Sequence, residues 1–209
     1  MHNNKFYVSV LFYVTIKALG QNICIFKKTK QMIHLHATGK LLNLGKIDGK
    51  TLITQHDVDQ QLHNWYVTII GSSFRGKMLV LYVHEPSLMT IIARGKTIRT
   101  TYPEFKIRCE KILNRYKFPE NIVNRELHLI NEYVIGKTTN RSTLAKINQI
   151  TYLLGYWVYQ YNTYADIDLD ILENRMMNHL SSNKISKDYS TPIDFFEKLL
   201  DCRLLKNEY

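Results

Sequence analysis

The sequence predicts an α+β fold, a small antiparallel sheet (a meander of about three to five strands) packed against several helices. Three observations carry that expectation. Between Trp65 and Ala93 lie three β-branched and aromatic runs broken by turn residues. From Tyr102 onward the apolar period shifts to helical spacing. The longest such stretch, Ser142 to Tyr161, follows a segment rich in hydroxyls and basic groups. Strands first and helices afterwards indicate α+β rather than a doubly wound sheet.

Taken in order, Met32 to His36 (MIHLH) alternates as a short strand, and Ala37 to Leu44 reads as a helical turn. Residues 45–63 are polar and irregular, with a turn at Asp48-Gly49. Trp65 to Ile70 and Met78 to Val83 are strands joined by the hairpin chemistry of Gly71 to Gly76, and Ser87 to Ala93 is the third strand, after a turn at Glu85-Pro86. Phe105, Ile107, Cys109, Ile112, Leu113 and Tyr116 recur at helical spacing, with Pro103 suited to the first turn. A second helix runs from Pro119 to about Leu129, and Leu129 to Ile135 reads as a further short strand. Ser142 to Tyr161 carries few charges and is expected to be a central, well-buried helix. Asp166 to Leu180 and Pro192 to Leu200 complete the pattern as amphipathic helices.

The domain expectation is a leader over residues 1–31 and a single α+β domain over 32–209, with 163–209 a helical C-terminal extension. The leader holds Lys5, Lys17, Lys27, Lys28 and Lys30 and no acid. Its apolar run, Phe6 to Ile16, is too short for a membrane-crossing helix, which needs roughly 20 residues. Three readings stay open for it. It resembles the h-region of a secretory signal, with Ala18-Leu19-Gly20 as a small-x-small cleavage site; it could be a strand; or translation starts at Met32, the reading favoured because the domain pattern begins there. The expected location is cytoplasmic, or exported if residues 1–20 are a signal.

The formal charge is +10, from 28 basic and 18 acidic residues. Five of the basic residues belong to the leader, so the body from Met32 is only mildly basic. A basic balance argues for anion binding in general and not for a fold or a specific partner. Cys24, Cys109 and Cys202 are far apart and odd in number, which matches neither a disulfide framework nor a zinc pattern and suits free thiols in a reducing compartment. No metal and no cofactor is expected: G-x-G-x-x-G, G-x-x-x-x-G-K-[ST] and G-x-S-x-G are all missing.

The chemistry concentrates in Gly136 to Asn148. A helix start leaves backbone N–H groups without partners and carries partial positive charge. Thr139 or Ser142 could cap it. Lys137 and Arg141 add full charges, so Lys137, Thr138, Asn140, Arg141 and Ser142 form a candidate anion site for phosphate, carboxylate or a nucleic-acid backbone. The architectural reading, in which this is a capped helix start and Asn148 ties the helix to the sheet, competes with it. His34 and His36 share one strand face, and His84 and Glu85 end another strand; the cluster is metal-like only if those strands are neighbours. Otherwise these histidines are surface or core residues.

The ordered segments MIHLHATGKLL, NWYVTII, KMLVLYVHEPSL and GKTTNRSTLAKINQI resemble a bacterial family known as domain of unknown function 6933. The matching positions are Trp65, His84, Glu85, Lys137, Thr138, Arg141, Ser142, Leu144 and Asn148, over roughly Met32 to Asn162. Ala145-Lys146 stand where the family usually has Gly-Ser. The resemblance implies a cytoplasmic bacterial protein, often of mobile or accessory genomes, with no assigned activity or cofactor.

The sequence does not decide between enzyme and binding protein. Three functions are open: a binding or interaction module that engages nucleic acid, a nucleotide or another anion at Lys137 to Ser142; a hydrolase or nuclease using His84 or His36 with Arg141; or a subunit of a mobile-element or defence-associated complex. The last would engage a protein partner or a second copy through Tyr152, Tyr156, Tyr159, Tyr161 and Tyr164, unless these pack against the sheet. No membrane span is expected.

Overall fold

Apolar residues on both sides of three sequential strands demand a sheet covered on both faces. In the computed structural model β4 (Asn64–Gly71), β5 (Met78–Glu85) and β6 (Thr90–Arg94) form the expected antiparallel meander, Trp65 facing His84 and Val80 facing Ala93. The structure describes residues 15–18, 21–24, 32–49, 52, 63–138, 140–182 and 189–206. The chain divides into two compact units, Met1–Gln31 and Met32–Tyr209. In the first, β1 (Thr15–Ala18) pairs antiparallel with β2 (Gln21–Cys24). Most of the apolar run Phe6–Ile16 lies outside the described residues.

The second unit holds the five-stranded sheet, in the order β6-β5-β4-β3-β7. It corrects the antiparallel expectation. Strand β3 (Ile33–Ala37) pairs parallel with β4 on one side and with β7 (Tyr133–Lys137) on the other, so the sheet is mixed. Parallel neighbours need a crossover, and the short helix α1 (Gly39–Gly45) lies in the connection from β3 to β4. Pairing direction depends on such connections, which periodicity does not encode.

Alternation along the strands sorts two cores. Ile33, Leu35, Ala37, Trp65, Val67, Val80, Tyr82 and Ile91 face one side, against α1, α2 (Ile98–Arg115) and α3 (Glu120–Leu129). Tyr66, Ile70, Leu79, Leu81, Val83 and Ile92 face the other, against α4 (Arg141–Val158) and α5 (Leu169–Met177). After β8 (Ser181–Ser182) and β9 (Tyr189–Ser190), α6 (Pro192–Lys206) returns Ile193 and Phe196 to the first core. Pro103 stands inside α2, in its second turn, rather than at its start, because the helix begins at Ile98 with Thr97 as its cap. Gly95, at φ +150°, turns β6 into α2 where an added Cβ would sit 2.5 Å from Thr101 Cγ2, so only glycine fits.

Helix α4 departs from the all-round burial expected of it. Thr143, Ile147, Ile150, Leu154 and Val158 are buried, while Tyr152, Tyr156 and Tyr159 are exposed. Scarcity of charge reflects an outer face built from neutral polar and aromatic residues, not burial. Of the other tyrosines, Tyr161 and Tyr164 are partly buried against the second core.

Candidate functional site

Period-two alternation decides which candidates meet. His34 pairs in register with Asn64, and Asn64 with Glu85, so His34, His36, Asn64, Tyr66 and Glu85 share the face under α4. Trp65 and His84 lie one residue out of step and occupy the opposite face, both buried. There the rings of Trp65 and His84 are 5.0 Å apart, with Phe105 edge-on to Trp65 and Phe196 edge-on to His84. His84 Nδ1 shares a 2.8 Å hydrogen bond with the Ser87 hydroxyl. The structure therefore does not bring His84 together with Glu85, His36 or Arg141.

On the α4 face the polar groups form a connected set. His36 Nδ1 donates to the Lys137 carbonyl at 3.2 Å, which fixes the ring hydrogen on Nδ1 because a carbonyl only accepts. Its Nε2 lies 3.2 Å from the Asn64 side-chain amide, whose two ends interchange by a half-turn. The His36 ring packs 5.2 Å from Tyr66, and His34 lies 6.4 Å from His36. Asn64 and Tyr66 are members that sequence reasoning missed; an amide at the head of an otherwise apolar strand was the available signal.

The helix start is capped by Asn140, whose Oδ1 accepts from the N–H groups of Ser142 at 3.1 Å and Thr143 at 3.3 Å. That corrects the expected cap: Ser142 sits inside the first turn, and Thr139 lies outside the described residues. Asn140 Nδ2 and the buried Thr143 hydroxyl both donate to Glu85 Oε1, at 2.8 and 2.6 Å. The Glu85 carboxylate thus takes the position beside the positive end of the α4 dipole. An external anion would meet the outer groups instead. Lys137 and Arg141 are exposed and Thr138 half-buried. Asn148 is also exposed, on the outward side of α4, and does not tie the helix to the sheet.

Strands β3 and β7 are adjacent and parallel, Ala37 facing Lys137 in register. Past these two residues the chain leaves in opposite directions. Thr38 leads into α1, whose Leu41 and Leu42 join the first core, while Lys137 and Thr138 lead into α4 on the second. In open parallel sheets, such a topological switch at the carboxyl ends of adjacent strands is where ligand crevices form. Thr38 and Lys40 follow β3 on one side of this switch, and Lys137 and Thr138 end and follow β7 on the other; Lys40 and Lys137 are exposed.

Among the described residues, no group of three or more His, Cys, Asp or Glu side chains is placed to hold a metal ion, and no helix is long and apolar enough to cross a membrane. Cys109 is buried, and burial pushes its thiol well above its ordinary range. A cavity of about 10 Å³, large enough for a single water, lies in the first core between His63, His84, Cys109 and Glu126. A family model described as "Domain of unknown function (DUF6933)" matches residues 34–195. No curated protein matches the chain.

Proposed function

We propose that this chain, which belongs to the family of the domain of unknown function DUF6933, is a binding module that takes an anionic ligand, a nucleotide or nucleic acid, at the crevice between the ends of β3 and β7. The observation that carries this reading is the switch itself. Two adjacent parallel strands, in register at Ala37 and Lys137, send their connections to opposite faces, with Thr38 and Lys40 following one and Thr138 the other. Arg141, the exposed first residue of α4, supplies a planar fork suited to phosphate oxygens. Glu85 and Asn140 serve the helix start from within, so the ligand's charge is met by side chains and not by the helix axis.

The hydrolase or nuclease alternative has less support. Its acid/base candidate His84 is on the opposite sheet face, packed against Trp65 and Phe196. A general acid or base must come within hydrogen-bond reach of the reacting group. His36, on the α4 side, commits Nδ1 to a backbone carbonyl.

Calorimetric titration with ATP and with inorganic tripolyphosphate tests the reading. Binding that weakens on going from 50 to 200 mM NaCl is expected, as for any phosphate contact. Lys137→Ala and Arg141→Ala together should weaken it at least tenfold. Unchanged affinity in that double variant, or no heat with either anion, overturns the proposal.

A further inference from the structure

The outward side of α4 is unusual for a surface helix. Arg141, Ala145, Asn148, Tyr152, Tyr156 and Tyr159 follow one another at three- and four-residue steps, so they form a single stripe. All six are exposed, and the three tyrosines are 79, 64 and 76% exposed. The stripe runs opposite the buried line of Thr143, Ile147, Ile150, Leu154 and Val158. Two residues of the Gly136–Asn148 stretch, Arg141 and Asn148, therefore lie on the same exposed side as the tyrosines and away from the sheet.

Charge selects the occupant. From Tyr133 to Ala165 the chain contains Lys137, Arg141 and Lys146 and no aspartate or glutamate. Glu85, the carboxylate that approaches the helix start, is engaged by Asn140 and Thr143. A second copy docking through this patch about a two-fold axis would set one acid-free basic stripe against another. A ligand that is anionic along its length and carries flat, stackable groups meets both the cations and the aromatic rings.

We infer that the exposed stripe of α4 is a platform for single-stranded nucleic acid, with bases stacked on Tyr152, Tyr156 and Tyr159 and phosphates held at Lys137 and Arg141. The phosphate contacts rest on the anion-binding reading given above; the stacking does not. From Arg141 to Tyr159 the helix rises about 27 Å at ~1.5 Å per residue, room for about eight nucleotides at a stacked rise of ~3.4 Å. That falls within the roughly 4–16 nucleotides spanned by single-strand binding modules that combine a basic track with aromatic stacking. Tyrosine suits such a role because its ring stacks on any base, which gives affinity without sequence preference. Asn148, between the cation and the rings, offers one donor and one acceptor group to a base edge.

Fluorescence anisotropy with a labelled twelve-nucleotide oligo-dT, and with a duplex of the same length, tests this on the full chain. The single strand should bind more tightly than the duplex. Tyr152→Ala, Tyr156→Ala and Tyr159→Ala should each weaken oligo-dT binding about tenfold, the order of one lost stacking contact. The corresponding Tyr→Phe variants keep the ring and should stay within about threefold of the parent. Affinity for tripolyphosphate should not change in the tyrosine variants. Oligo-dT binding indifferent to all three alanine substitutions, or no binding of oligo-dT, overturns the platform. So does light scattering that shows a dimer dissociated by those substitutions without any oligonucleotide affinity, which would assign the stripe to a second copy. If instead the tyrosine variants lose oligo-dT while Lys137→Ala with Arg141→Ala changes neither oligo-dT nor tripolyphosphate binding, the stacking platform stands and the anion site falls.

Discussion

Glu85 is the residue on which two distant parts of the chain converge. Its carboxylate accepts from Asn140 and from the buried Thr143 hydroxyl, partners 55 and 58 residues away, at the start of α4. Hydrogen bonds to a charged group contribute about 1.5–3 kcal/mol, and a nearby anion adds a smaller favourable interaction with the helix dipole. Glu85→Ala leaves Thr143 buried without this acceptor and is expected to cost about 2 kcal/mol in urea unfolding. Glu85→Gln keeps an acceptor oxygen and loses only the charge, so it should cost about 1 kcal/mol or less. Equal losses in the two variants would show that the charge, not the hydrogen-bond geometry, is what matters. Composition pointed to Glu85 only as a neighbour of His84. A pairing across more than 50 residues leaves no trace in local spacing, and adjacency in sequence misled because consecutive strand residues face opposite ways.

Among the elements, α5 and α2 together cover the free edge of the sheet. Strand β6 is an end strand, and unpaired edge amides invite pairing with other chains. Here the Ile92 N–H donates to Glu173 Oε1 at 2.9 Å and the Arg94 N–H to Glu104 Oε2 at 2.8 Å. Glu173 in turn receives the Arg108 fork at 2.7 Å on both oxygens, and Arg108 also reaches Asp170 at 2.9 Å. Lys111 and Arg115 join Asp170. Burial pushes the Glu173 carboxyl up, against the pull of Arg108 and the Ile92 amide. Burial would lift Asp170 as well, but the hydrogen bond from Lys111 and the charges of Arg108, Lys111 and Arg115 outweigh it and hold that carboxyl below its ordinary value. A carboxyl depressed by folding adds stability above its unfolded value, near 3.9, and loses it as pH falls through the folded value. Asp170 is 37% exposed, so solvent screening limits the contribution to about 1 kcal/mol. Asp170→Asn should therefore be less stable than the parent by about that amount at pH 7, with the deficit closing below about pH 4. Thermal melts at pH 7 and pH 3 that show the same deficit would refute it. The helix itself was legible, since Leu172, Met176 and Met177 recur at helical spacing. Its ionic partners on α2 were not, because nothing local to Arg108 marks Glu173, 65 residues on, as its mate.

At the largest scale, the decisive fact about the unit from Met32 is that both faces of its sheet draw on the chain after Asn162. The three meander strands could be read from their β-branched runs and turns, and most helices from their period. The parallel pairing of β3 and β7 could not, since it depends on crossovers whose direction no residue pattern records. The C-terminal helices were legible from their period, but the core each one joins was not. Residues after 162 bury Ile167, Leu169, Leu172, Met176, Met177, Ile193, Phe195 and Phe196, and both cores draw on this set. At about 1.5–3 kcal/mol for each buried apolar side chain, their removal would forfeit more than about 10 kcal/mol, as much as a domain's whole margin of about 5–15 kcal/mol. A chain ending at Asn162 is therefore expected not to fold. One beginning at Met32 keeps every core residue of both clusters among the described residues and should melt within a few degrees of the full chain. Circular dichroism on the two truncations reads both outcomes. A cooperative transition from the chain ending at Asn162 would mean that α5 and α6 are accessory, and that the β6 edge can be left open without loss of the fold.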